Sequence, residues 1–380
     1  NMLRQQTKTV GSALALIVIA SLIGACQTDY DPPSLVNKLR IIAARADPPF
    51  MSFTASPSLQ LKVIGYDESQ PLCYAWAVCL MAMGKNGNYR CLDPRLQTPL
   101  GIAPTAKVGM ANLLGPIKQL PVVFKELGFD MALPTEGASP GDACSGAPTK
   151  LPVESVQIMF KVAEAGTFGG TCPTDPSAML DEICADSTRC LAGYKRLTLA
   201  IDFQVKDCAV TPVPAPKKEH NNPELIGLML GGVPWPAAVT PVVRPFVPSE
   251  SLLDLDNAAL DFEEGANQVE LEPTWTPESQ EVVGKSPDPT KGELKEELLF
   301  SWFSDRGDYK KQRSFTTLPE NMYRADDPGG DAEAEVRIWV VVRDGRGGTD
   351  WLERRLLVRK DAQTQVNAVC HAAANLPGCP

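Results

Sequence analysis

The sequence predicts an all-β protein of two tandem Ig-like β-sandwich domains, the first carrying an irregular insertion. Short runs of alternating apolar and polar residues recur through both halves, as half-buried strands require. Thirty-four prolines and 29 glycines interrupt them, which favours turns and short strands over long helices. A proline-rich stretch near the middle, "AVTPVPAPKKEHNNP", separates the halves.

The first domain spans 38–208. "LRIIAARADPP" (39–49) reads as a strand stopped by prolines, and "SLQLKVIGY" (58–66) alternates Leu59, Leu61 and Val63 with polar residues. "CYAWAVCL" (73–80) sets Tyr74, Trp76, Val78 and Leu80 on one face, opposite Cys73 and Cys79. Val156, Ile158, Phe160 and Val162 alternate, as do Leu197, Leu199, Ile201, Phe203 and Val205. Between "CYAWAVCL" and Val156 lies the insertion, about 82–150, where "LPVVFKELGF" fits a short helix or a strand equally. Residues 209–223 predict an extended, semi-rigid linker.

The second domain covers 224–360. Its strands are "ELIGLMLGG", "NQVELEP", "ELLFSWFSD", "EVRIWVVVRD" and "WLERRLLV", the last two joined by "DGRGGTD" (344–350). Gly345, Gly347 and Gly348 suit the positive φ of a hairpin connection. A tail, 361–380, carries Cys370 and Cys379.

Arg4 and Lys8 precede an apolar run, 13–23, too short to cross about 30 Å of hydrocarbon and close in length to a secretory core. "IGAC" then resembles the lipobox of bacterial lipoproteins. The resemblance implies a signal peptide over 1–25, acylation of Cys26 (palmitate or a similar chain) and a lipidated tether over 26–37. Several acyl chains anchor stably where one does not. Gln27 follows Cys26, and the aspartate that signals inner-membrane retention in similar lipoproteins is absent from that position. The implied location is the outer membrane, on a face the sequence leaves open.

The chain has 36 basic and 46 acidic residues, a net charge of −10. Without a basic run, nucleic acid is a poor partner, because its binding rests on phosphate neutralisation. Setting Cys26 aside, ten cysteines remain: Cys73, Cys79, Cys91, Cys144, Cys172, Cys184, Cys190, Cys208, Cys370 and Cys379. In an oxidising envelope they read as disulfides of unspecified connectivity, with Cys184–Cys190 and Cys370–Cys379 near enough in sequence for local loops. Zinc is the weaker reading, since no two form C-x-x-C.

"KLRIIAARADPP", "LLFSWFSDRGDY" and "RIWVVVRDGRGGTDW" resemble the Ig-like domains of Gram-negative envelope lipoproteins, best over 224–359 and poorly over 82–150. These are core and turn residues, so the resemblance speaks to fold and carries no catalytic residue across.

Chemical motifs are sparse. His220 lies in the linker and His371 beside Cys370, neither in a catalytic pattern, and both read as surface residues. "DLDNAALDFEEG" (254–265) has Ala259 and Gly265 where an EF-hand needs glycine and glutamate; a looser loop would use Asp254, Asp256 and Asp261. The sequence predicts no metal and no cofactor. "DRGD" (305–308) reads as a charged turn. Trp339 shares its strand face with Arg337 and Arg343 and would stack on a glycan ring or anchor a protein contact, unless that face is covered.

These features together predict a lipid-anchored, non-catalytic binding or structural module whose partner is an envelope protein or glycan. The alternatives are a carboxylate-dependent hydrolase of envelope glycans and an accessory subunit of an envelope assembly.

Overall fold

Both halves are β-sheet, and the alternating runs of the sequence become its strands. The computed structural model describes residues 34–362, apart from 65–70, 84–88, 128–148, 152, 183, 185, 207–208, 216–218, 249–264 and 286–291. Cys26, Cys144, Cys208, Cys370, Cys379, His371 and the aspartates at 254, 256 and 261 fall outside the described residues.

In the first half the strands are β1 (Arg40–Asp47), β2 (Phe50–Met51), β3 (Ser58–Ile64), β4 (Leu72–Cys79), β5 (Gln97–Gly101) and β6 (Thr105–Lys107). Helix α1 (Met110–Glu126) follows, then β7 (Thr149–Leu151), β8 (Ser155–Glu164) and helix α2 (Pro176–Asp181). β9 (Cys190–Leu199), β10 (Ile201–Lys206) and β11 (Ala209–Pro214) complete it. A five-stranded sheet runs β2-β9-β8-β4-β5, a second β1-β3-β6 and a third β11-β10-β7.

The second half has β12 (Leu225–Leu230), β13 (Val233–Pro234), β14 (Val242–Val243), β15 (Val247–Pro248), β16 (Gly265–Ala266), β17 (Gln268–Trp275), β18 (Val282–Lys285) and β19 (Glu293–Lys295). β20 (Leu299–Ser304), β21 (Asp308–Tyr309), β22 (Arg313–Phe315), β23 (Asn321–Arg324), β24 (Glu333–Arg343) and β25 (Thr349–Arg359) follow. One five-stranded sheet is ordered β13-β12-β17-β23-β21 and a second β14-β25-β24-β20-β22, while β15-β16 and β18-β19 pair as two-stranded sheets.

Successive apolar layers join these sheets. Trp76, Val78, Val156, Ile158, Phe160 and Val162 of the five-stranded sheet pack on Leu59 and Leu61 of β3. The opposite face, with Cys73, Ala75, Ala77, Cys79 and Met159, is covered by Leu120 and Val123 of α1 and by Met179 and Leu180 of α2. In the second half Phe300, Trp302, Val336, Ile338, Val340 and Val342 meet Leu228, Leu230, Val269, Leu271 and Tyr323. Each half therefore has a sandwich core of its own.

A further layer fuses the halves. Val36, Ile42, Ala43 and Ile64 pack against Trp339 and Val341, with Phe303 and Trp351 at the margin. A register shift between Ile41 and Ala43 in the β1–β3 pairing is the local break in alternation that a bulge produces. It lets Ile42 and Ala43 share this layer while Ile41 and Ala44 pack on the first core.

Several expectations need correction. Residues 209–214 are not an extended linker but strand β11, paired with β10 along its length. The end of the expected tether is docked, because Val36 N–H donates to Ser304 O (2.6 Å) and Ser304 N–H to Ser34 O (2.9 Å). The run 197–205 is two strands broken at Ala200, whose N–H bonds Met51 O at 2.8 Å. Within 82–150, "LPVVFKE" closes α1, whose Leu113, Ile117, Leu120 and Val123 form one buried stripe. In the β24–β25 connection only Gly347 has positive φ, 111°.

Candidate functional site

Alternation put Arg337, Trp339 and Arg343 on one face of β24, and the structure keeps them there. It covers that face with β1 and β3 of the first half. Trp339 is fully buried, so it does not face solvent as a ligand platform would. Its Nε1–H donates to Glu353 Oε2 at 2.9 Å, and Lys62 Nζ reaches the same oxygen at 2.7 Å. Burial alone would raise the Glu353 pKa, but the hydrogen bonds from Lys62 and Trp339 hold it below the usual range.

The two arginines are held as well. Arg337 lies over the Trp339 ring, 5.5 Å from its centroid, and its Nε donates to Asp305 Oδ2 at 2.8 Å. Arg343 donates to Ser301 Oγ (2.9 Å) and to Ile42 O (3.3 Å). Burial, and then the nearby Arg313 charge, lowers its pKa. Arg45–Asp350 (2.6 Å) and Lys195 Nζ to Thr349 Oγ1 (2.7 Å) tie the same seam. Of the trio predicted to meet a ligand, Trp339 and Arg343 reach across to the first half, and Arg337 braces Trp339 and Asp305 within its own half.

The second polar centre is Lys161, on the disulfide-bearing face of β8 and only 2% exposed. It borders a recess of about 400 Å³ lined also by Tyr89, Arg90, Met159, Ser177 and Asp181. Lys161 Nζ donates to Leu180 O (3.0 Å) and to Glu182 O, while Arg90 Nη2 donates to Asp181 O. The last carbonyls of a helix lack intrahelical donors and carry partial negative charge; here two cations satisfy those ending α2. Burial, reinforced by Arg90, pulls the Lys161 pKa down to about 8.

Disulfides frame this centre. Cys73–Cys172, Cys79–Cys91 and Cys184–Cys190 have S–S distances of 2.02, 2.06 and 1.99 Å. The predicted local loop at Cys184–Cys190 is present, and Cys73 and Cys79 leave β4 on the face opposite Trp76.

A second recess, about 520 Å³, lies between the halves and is lined by Glu154, Arg196, Thr198, His220, Asp344, Arg346 and Gly347. His220 is buried rather than on the surface, with its ring 6.1 Å from that of Phe50. Two carboxylates border the recess. Asp344 Oδ1 is engaged by the N–H groups of Arg346 (2.9 Å), Gly347 (2.7 Å) and Gly348 (2.6 Å), so it holds its own hairpin loop in shape. "DRGD" is a turn, as expected: Gly307 (φ 78°) donates to Asp326 Oδ2 at 2.8 Å.

No protein-family model matches the chain. Nor does any curated protein. Among solved structures it is similar to dimeric latent PorU from Porphyromonas gingivalis, at 9% identity and a TM-score of 0.20. The match covers 86% of this chain and 24% of that one, a likeness too slight to bear on fold or function.

Sequence reasoning did not single out Lys161. The available signal was a charged residue on the same strand face as Met159 and Ala163, where alternation demands apolar side chains.

Proposed function

We propose that this chain is a lipid-anchored protein of the cell envelope, held in the outer membrane through Cys26, and that it acts as a non-catalytic binding or structural module. The observation that carries the reading is the framing of the Lys161 centre by three disulfides. Such cross-links persist in oxidising compartments. The engagement of Trp339, Arg337, Arg343 and Lys161 within the fold supports a structural module, whose partner, an envelope protein or glycan, would be met on the outer surface.

Fractionation of cells carrying Cys26→Ala tests the anchor. The variant is expected in the soluble fraction and the parent in the membrane fraction after high-salt washing. Retention of the variant in washed membranes overturns the anchor, and turnover of purified envelope glycans by the parent overturns the non-catalytic reading.

A further inference from the structure

We infer that the open edge of the second sandwich, along residues 310–318, lies against anionic lipid headgroups. The inference rests on the anchored reading above.

The path of the chain places this edge. Residues 34–36 bond Ser304 through both its N–H and its carbonyl. Two residues earlier on β20, Trp302 N–H bonds Gln312 O at 3.2 Å, and Ser301 pairs with Arg313 of β22. The incoming chain and β22 thus follow one another along the same side of β20. Ser34 follows Cys26 by eight residue steps, a span that extended chain cannot stretch beyond about 28 Å. An acylated Cys26 would therefore keep this edge near the bilayer.

Composition gives the edge its partner. In a chain of net charge −10, the run "YKKQRSF" (309–315) carries Lys310, Lys311 and Arg313 without a carboxylate. Lys310 and Arg313 are exposed, as are Phe315 (45%) and Leu318 (60%). Of the carboxylates around the edge, Asp305 is engaged by Arg337, Asp308 by Arg324 and Glu320 by Lys311 itself (3.8 Å), while Glu297 is exposed; the basic side chains left facing solvent are Lys310 and Arg313. Basic residues beside a lipid anchor are drawn to anionic headgroups, and apolar side chains among them can enter the interface. Lysines on an edge strand also discourage pairing with other sheets. That role needs no anionic lipid.

The test uses the acylated full chain in nanodiscs of phosphatidylcholine, alone or with phosphatidylglycerol, read by hydrogen–deuterium exchange over 310–318. A basic residue near an anionic surface shifts the docked-to-undocked ratio about fivefold. Exchange is therefore expected to slow at least that much with phosphatidylglycerol, and the difference to vanish in high salt and in Lys310→Glu/Arg313→Glu. Thermal unfolding of that variant should match the parent, because both side chains are exposed. Equal exchange in the two discs, with the chain still anchored, overturns the inference and leaves the anchor standing. Release of the chain from the discs by salt overturns the anchored reading and this inference with it.

Discussion

The indole of Trp339 and the carboxylate of Glu353 face each other across the β24–β25 hairpin, and their 2.9 Å hydrogen bond sits where the two halves meet. Because Lys62 of the first half binds the same oxygen, the pair couples a contact inside one sheet to a contact between sheets.

Trp339→Ala should therefore destabilise the protein by about 3–5 kcal/mol, the usual cost of removing a large buried aromatic. Glu353→Gln should cost less, about 1–2 kcal/mol, because Lys62 is partly exposed and can turn to water. Denaturant unfolding measures both, and in Trp339→Ala the single transition should broaden or divide as the halves uncouple.

Stability should rise from about pH 8 to pH 10. Lys161 and Lys195 are each pulled down to about 8, both chiefly by burial, against about 10.4 in the unfolded chain. Between those values the unfolded state holds more protons, so each lysine adds up to about 1.4 kcal/mol per pH unit as pH climbs. Tyr309 and Tyr323 act oppositely: burial raises their pKa values, so the stability they contribute is lost above pH 10. Urea titrations across this range should show the rise, and Lys161→Met should remove about half of it, Lys195 supplying the rest.

The disulfides should differ in worth. Cys73–Cys172 closes a separation of 99 residues and Cys184–Cys190 one of 6. Loop entropy puts the first at about 4–5 kcal/mol and the second near 2 kcal/mol. Unfolding of Cys73→Ser and Cys184→Ser under non-reducing conditions tests that order.

A fragment of residues 222–360 contains a complete sandwich core but would bare Phe303, Trp339, Val341 and Trp351 of the fusing layer. Such a patch drives association. The fragment should self-associate on size exclusion, and Trp339→Lys within it should restore a monomer. A monodisperse parent fragment would contradict the fusion.

The fold was legible where alternation is strict. It divided β4 into a Trp76 face and a Cys73/Cys79 face, and β24 into a Val336–Val342 face and a Trp339 face, and both divisions hold. Alternation cannot say what covers a second face, because the covering strand lies almost 300 residues earlier in β1. Helix α1 was hidden differently. Its buried stripe has helical spacing, but Pro116 and Pro121 fall inside it, where each removes a backbone hydrogen bond. Lys161 escaped notice because its partners are main-chain carbonyls, which leave no trace in side-chain patterns.

The docking of residues 34–36 on Ser304 also sets a mechanical order. Tension on the preceding chain reaches the two backbone bonds at Ser304 first, then the bond from Leu39 N–H to Thr188 O, and only when these part does it load β1. That strand is knitted to β3 on its edge and pressed on Trp339 through Ile42 and Ala43. A steady pull would thus peel a short clasp before it shears a broad ladder, and the seam between the halves would be the first interior surface to open under strain.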